Sequence, residues 1–304
     1  MTDPDRVRVP PSSALPDVQS LRSLHPYRLT RVGVTGIKKP VHVKRPDRPA
    51  ATLVATFDVY VDLPRDQRGI HMSRNVEAVN ATIDELARET TGGLEDLAAR
   101  IVETLLRKHD YATVAEVEIE VDYFRERLTP ANHAATLEHH ELVATAVAKR
   151  GRPVRRGIGV VVTGMTACPC AMEGTRKILR DRGAAVEDIP TITHNQRNHL
   201  FILLETDVPA AVEADDLLDV AEESLSAPTF ELLKRGDETA LVLQAHEHPR
   251  FVEDVVREAL ARVAKRYAHL PDDATVLVRS EAEESIHKHN AVAEECVSLG
   301  ELRG

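Results

Sequence analysis

The chain has 304 residues, 42% of them hydrophobic, a length at which one core usually divides in two. Its 49 Asp and Glu against 39 Lys and Arg leave a formal net charge of −10, which excludes general binding of nucleic acid or of an anionic membrane, since both need a cationic footprint. Three cysteines form no disulfide framework and no apolar run reaches the roughly 18 residues of a membrane helix, so the expectation is a cytoplasmic chain that keeps its thiols for metal binding or reactivity.

Residues 1–26, rich in proline and mixed charge, read as a flexible arm. A strand follows from Leu29 to Lys44, bent or bulged at Gly33 and Gly36, and a second from Ala51 to Leu63, where Leu53, Ala55, Phe57, Val59 and Val61 alternate with more polar residues. The turn between them falls at Arg45 to Pro49. Val76, Val79 and Ile83, and then Leu94 to Leu106, recur at helical spacing and predict two amphipathic helices broken at Gly92 and Gly93. A strand with one apolar and one acidic face runs from Glu116 to Tyr123. The polar stretch Arg125 to Glu138 separates this first unit (27–135) from a second (136–304) with strands at Gly157–Thr163, His199–Glu205 and Thr275–Arg279 and helices near Val212–Ser224 and Phe251–Tyr267. The repeated order, with antiparallel sheets and helices on one face, predicts the α+β class.

Chemistry-bearing residues cluster in the second unit. "TACPCAME" (Thr166–Glu173) sets Cys168 and Cys170 around Pro169, which fixes a turn-like backbone. The pair lacks the spacing of a four-thiolate zinc site, so it offers one thiolate to a mixed ligand set, or else two thiols packed as small hydrophobes. In "THNQRNH" His194 is the ligand candidate, with Asn195, Gln196 or a carbonyl to hold its other nitrogen, and His199 reads as structural. In "EESIHKHNA" Glu284 and His287 share a face on a helical turn, against the plainer reading of a solvated charged tail. Glu253, in "PRFVED", either partners a helix N-terminus or accepts hydrogen bonds from an amide–amidine edge. "RGIHMSR" places His71, Ser73 and Arg74 at a strand-to-helix junction suited to an anion.

These segments, with "RLTRVGVTGIKKPV", "HDYATVAEVEIE", "FELLKRGDE" and "YAHLPDDATVLVR", resemble in order the GTP cyclohydrolase IB family, most closely its archaeal MptA-type branch. The resemblance implies a tunnelling fold of two tandem units, each an antiparallel sheet with two helices on one face, assembled as a homotetramer. It implies a metal held by Cys168, His194, Glu238, Glu284 and His287, either thiol of the pair serving as the sulfur ligand, with catalytic work by Cys168, Glu284 and His287. Glu253 becomes a guanine anchor, and His71, Ser73 and Arg74, with Lys234 and Arg235, hold phosphates. Iron(II) is the metal of the archaeal relatives; zinc or manganese would also suit a thiolate–imidazole–carboxylate set.

The implied reaction converts GTP and water to 7,8-dihydroneopterin 2′,3′-cyclic phosphate, formate and diphosphate, an early step toward methanopterin or folate-type cofactors. Two rivals stand beside it: a bacterial-like enzyme ending at dihydroneopterin triphosphate, and a non-catalytic pterin- or purine-binding protein with a structural metal. Two departures qualify the match. The Cys168–His194 spacing exceeds that of bacterial members, which favours the archaeal branch, and Asn290 stands where the family carries an aspartate.

Overall fold

Alternation of apolar residues builds most of the frame. In the computed structural model, which describes residues 16–45, 48–86, 93–187, 189–209 and 211–304, β1 (Leu29–Arg45) and β2 (Arg48–Leu63) pair antiparallel, and Ala55, Phe57, Val59 and Val61 of β2 are buried. The bulge expected near the glycines occurs between Val34 and Ile37, where Gly36 adopts φ 72° and its N–H donates to Asp58 Oδ1 at 2.7 Å. The expected turn at Arg45–Pro49 lies partly outside the described residues, as do Gly92 and residues 1–15 of the arm. Residues 16–26 are tied down by backbone bonds, Arg68 to Leu21 at 2.9 Å and Gly69 to Gln19 at 3.1 Å.

Two helices follow, α1 (Met72–Leu86) and α2 (Leu94–Lys108), and then β3 (Val114–Leu128) and β4 (Ala135–Lys149). The polar stretch Arg125–Glu138 forms the end of β3, a turn and the start of β4. Its polarity misleads because the inward positions there are polar. Arg127 and His140 meet Glu222, and Glu138 accepts from the Glu231 N–H, rather than packing on an apolar core. The same order returns with insertions: β5 (Arg155–Ala167), α3 (Pro169–Asp181), β6 (Asn195–Thr206), α4 (Ala214–Ser224), β7 (Ala227–Pro228), α5 (Arg235–Glu247), α6 (Val252–Arg266), β8 (Thr275–Ala282) and β9 (Ala291–Ser298), with a final short α7 (Leu299–Arg303).

All pairings are antiparallel and the strands form one sheet in the order β1-β2-β3-β4-β5-β6-β8-β9, with β7 on β5. This is the α+β class expected. Helices α1, α2, α4 and α6 cover one face: Leu97, Ile101, Val102 and Leu105 of α2 and Val255, Val256, Ala259 and Val263 of α6 join Ile119, Val160, Leu200, Ile202, Leu204 and Val276 in one continuous core. Arg125 of β3 ties the halves together through an ion pair with Asp219 of α4, and Tyr123 donates to Asp215 at 2.5 Å. No helix among the described residues is long and apolar enough to cross a membrane.

The register gives the sheet two ends. Leu63, Val114, Lys149, Arg155, Thr206 and Thr275 align at the first, while Leu128, Ala135, Ala167, Asn195, Ala282 and Ala291 lie at the second.

Candidate active site

Most of the chemistry sits at the second end, where β5 stops and β6 begins. Pro169 opens α3 as its first residue, so Cys168 becomes the N-cap and its Sγ accepts from the Ala171 N–H at 3.5 Å. The turn expected at Cys-Pro-Cys is thus a helix start, which turns amide dipoles toward the sulfur. Cys170 is exposed one residue into the helix. The Cys168 N–H donates to the His194 carbonyl at 3.0 Å, and Thr193 Oγ1 donates to the Cys168 carbonyl at 2.6 Å, which fastens the thiol segment to the imidazole segment.

His194 Nδ1 lies 3.0 Å from Gln196 Oε1, and Gln196 Nε2 donates to Glu284 Oε1 at 3.4 Å. Glu284 Oε2 stands 3.8 Å from His194 Nδ1, and Ser285 Oγ lies 3.5 Å from the same nitrogen. The His194 and Glu284 side chains are only 14% and 12% exposed, and Glu284 Oε2 is buried without a hydrogen bond. Thiol, imidazole and an unsatisfied buried carboxylate oxygen form a donor set that suits a divalent metal, though among the described residues no three His, Cys, Asp or Glu side chains converge tightly enough to hold an ion.

The pairing expected of Glu284 with His287 on a helical turn does not occur. Residues 283–290 form an irregular link between β8 and β9, Glu284 turns to His194, and His287 is exposed with its ring stacked on His289 at a centroid distance of 5.3 Å. The Arg250 N–H donates to the Ala167 carbonyl at 3.0 Å and brings the start of α6 beside Cys168. There Asp254 caps the helix, accepting from the Phe251 N–H at 3.0 Å, and Glu253, exposed, stands with it in the first turn, where its charge also favours the helix N-terminus. Glu238 is exposed on α5, at the same end of the sheet. Its helix is pinned by Asp237, a fully buried carboxylate that accepts from Ala131 N at 2.9 Å, Asn132 N at 2.8 Å and Asn132 Nδ2 at 2.7 Å on the β3–β4 turn. Burial alone would raise the Asp237 pKa, but these donors outweigh it and hold the group well below the usual carboxylate range.

A cavity of ≈ 450 Å³ opens between β4, β5, β6 and α5, lined by Glu138, His140, Arg197, His199, Phe230 and Leu241 among others. His199, which lines this cavity, bonds Thr163 at 3.1 Å and Glu283 at 3.0 Å.

His71, Ser73 and Arg74 stand at the first end. His71 Nε2 meets Asp17 Oδ1 at 3.0 Å, a partner from the arm that no motif announces, and Arg74 Nη1 donates to the Lys108 carbonyl at 3.0 Å. Hydrogen bonds from Ser20 first, and then from His71, lower the Asp17 pKa to about 2. β5, with 13 residues, spans about 40 Å at the usual rise, so within one chain this group does not reach Cys168 or His194.

The antiparallel α+β architecture is shared with solved uricases. The structure aligns to uricase from Arthrobacter globiformis with a TM-score of 0.55 at 10% identity, covering 88% of this chain and 93% of that one, and to a hyper-thermostable AgUricase mutant with a TM-score of 0.56 at 9% identity, covering 89% and 92%. The chain itself belongs to the family described as Type I GTP cyclohydrolase folE2, whose model matches residues 15–293. Relatives named GTP cyclohydrolase MptA are 43% identical in Methanothermobacter thermautotrophicus, covering 95% of both chains, and 42% identical in Methanobrevibacter smithii, covering 95% of this chain and 97% of that one.

Proposed function

We propose that the protein is a metal-dependent GTP cyclohydrolase that yields 7,8-dihydroneopterin 2′,3′-cyclic phosphate, formate and diphosphate, in methanopterin biosynthesis. Family membership supports the activity on GTP, and the similarity to proteins named GTP cyclohydrolase MptA supports the cyclic product. The observation that carries the site is the meeting of Cys168, His194 and Glu284 at one sheet end, beside the start of α6.

Cys168 and His194 would hold the metal, with Glu238, Glu284 and His287 at the same end to complete the set; iron(II) is our choice, ahead of zinc or manganese. A divalent metal there supplies Lewis acidity, which makes water a nucleophile near neutral pH. Glu253, exposed in the first turn of α6, accepts the N–H donors of the guanine edge. Glu284, its Oε2 unpaired, takes and returns the protons that ring opening and formate release require, with His287 as the second carrier. His71, Ser73 and Arg74 bind phosphate from another copy, because the sheet separates them from Cys168 in the same chain.

A homotetramer of tunnelling-fold subunits fits that requirement. The sheet is open at β1 and β9, and apolar side chains at Ile178, Ile192, Leu232, Val242, Phe251 and Ile286 are exposed near the second end. Three free thiols and the acidic composition agree with a cytoplasmic location.

The deciding experiment is anaerobic incubation of the iron(II)-loaded protein with GTP, following formate and identifying the pterin by mass. Formate with a cyclic monophosphate establishes the proposal. Formate with the triphosphate replaces the product, and GTP binding without formate under any metal replaces the enzyme with a binding protein. Mixed oligomers of His71→Ala and His194→Ala subunits are expected to regain activity that neither variant shows alone, since some interfaces then hold two intact halves; no recovery overturns the shared site.

A further inference from the structure

We propose that Gln196 is a positioning residue: its side-chain amide bridges His194 and Glu284, fixes the His194 tautomer, and aims Nε2 at the metal. The inference deepens the metal-site reading above and rests on it.

The geometry runs through one amide. The carbonyl oxygen of Gln196 can only accept and its nitrogen can only donate. Placed 3.0 Å from His194 Nδ1, Oε1 requires that nitrogen to carry the proton, which leaves the Nε2 lone pair as the free donor of the ring. Glu284 Oε2, 3.8 Å away, sets its negative charge on the same edge, and Ser285 Oγ at 3.5 Å can donate or accept. The amide nitrogen then donates to Glu284 Oε1 at 3.4 Å, so one side chain ties both groups into a single geometry.

The fold makes the bridge stiff. Gln196 lies at the start of β6, where it pairs with Thr166 of β5, two residues before Cys168. The strand pairing that sets Gln196 therefore also sets the thiol, and the Cys168 N–H to His194 carbonyl bond closes the loop. Asn195, its neighbour, pairs with Ala167 and points to the other face of the sheet. The bridge also assigns Glu284 a place. Its Oε1 is held by the amide while Oε2, without a hydrogen bond, stays open.

The test uses cobalt(II) as probe metal, with the full chain titrated against a chromophoric chelator and the cobalt absorption recorded. Gln196→Leu removes both bonds and is expected to weaken cobalt(II) binding by about 10- to 100-fold and to change the spectrum. Gln196→Glu keeps an acceptor for Nδ1–H but loses the donor to Glu284 and sets two carboxylates together, so it is expected to recover part of the affinity that Leu loses, a partial rescue that mere packing would not produce. Gln196→Asn keeps the amide but is too short to span both partners, and serves if the Leu variant fails to fold; it is expected to behave like Leu. His194→Ala is the control for the site itself. If it abolishes tight binding while the Leu and Asn variants match the parent in affinity and spectrum, the bridge is overturned and the metal site stands. If His194→Ala also binds like the parent, the metal site falls and the bridge with it.

Discussion

The sheet carries the same order of elements twice, strand, strand, helix, helix, strand, strand, over residues 29–149 and again over 155–298, yet the two copies differ in what fills their connections. In the first, β3 turns into β4 over residues 129–134. In the second, α3 is inserted between β5 and β6, and β7 with α5 between α4 and α6. Every insertion emerges at the second end of the sheet, and Cys168, His194, Glu238 and Glu253 all lie on or beside one. The plain copy shows what the frame needs, and the decorated copy carries its added segments as loops and helix starts held by a rigid sheet.

The largest effects should separate these two kinds of region. Cys168→Ala and His194→Ala are expected to lower formate release by about a thousandfold or more, about 4 kcal/mol of lost barrier reduction, with a thermal midpoint close to the parent. Steady-state assay and a melting curve on the same samples check it; full activity in both variants would remove the site from Cys168 and His194. The converse belongs to the plain copy. Ile101→Ala, in a fully buried position of α2, is expected to cost about 2 to 5 kcal/mol of stability by leaving a cavity, while kcat per folded molecule stays unchanged. Urea unfolding and activity corrected for folded fraction read the two quantities.

Asp237 tests how the copies are joined. Its carboxylate binds the β3–β4 turn of the plain copy and starts the helix that bears Glu238 in the decorated one. Asp237→Ala strands buried donors and is expected to lower the melting midpoint by roughly 2 to 6 °C. Because the helix loses its anchor, formate release should fall as well. Asp237→Asn keeps one acceptor oxygen and should recover part of both losses, whereas equal behaviour of the two variants would mean the carboxylate does not set Glu238.

Legibility from the sequence follows the same divide. β2 and α6 could be read because their buried faces are apolar at the right period: Phe57, Val59 and Val61 in one, Val255, Ala259 and Val263 in the other. The first half of β4 could not, because Thr136, Glu138 and His140 are buried there as polar groups, so alternation of burial is not alternation of hydrophobicity. α5 hides for a related reason: it buries only Asp237, Leu241 and Ala245, while Val242 and Leu243 are exposed. Of the candidate site, the proximity of Cys168 and His194 was implied by the family resemblance and not by their spacing. The turn of Glu284 toward His194 did not follow from spacing either, since the irregular β8–β9 link obeys neither the helical nor the strand period. Asp17 escaped notice because an isolated acid in a proline-rich arm carries no pattern.

The smallest effect concerns acid, and it sets buried groups of the plain copy against one another. Burial, with Arg74 and His71 nearby, lowers the His109 pKa to about 4; burial, with Arg125 and Arg127, does the same to His140. Both rings stay neutral in the fold while the unfolded chain takes up protons below about pH 6.5, so their contribution is complete above that pH and is lost as pH falls toward 4. Glu95 acts in the opposite sense. Burial, reinforced by Asp96 and Glu213, raises its pKa to about 7, so the fold holds a proton that the unfolded chain has released, and stability is gained on acidification from 7 toward 4.5. One proton is worth about 1.4 kcal/mol per pH unit, so two histidines against one glutamate leave a net loss of about that slope between pH 6 and 5 from these three groups. Urea midpoints across this range should therefore fall more steeply in Glu95→Gln, which discards the opposing term, and less steeply in His109→Gln, which removes one of the two losses. Identical slopes in both variants and the parent would mean that these buried groups titrate in the fold as they do in water.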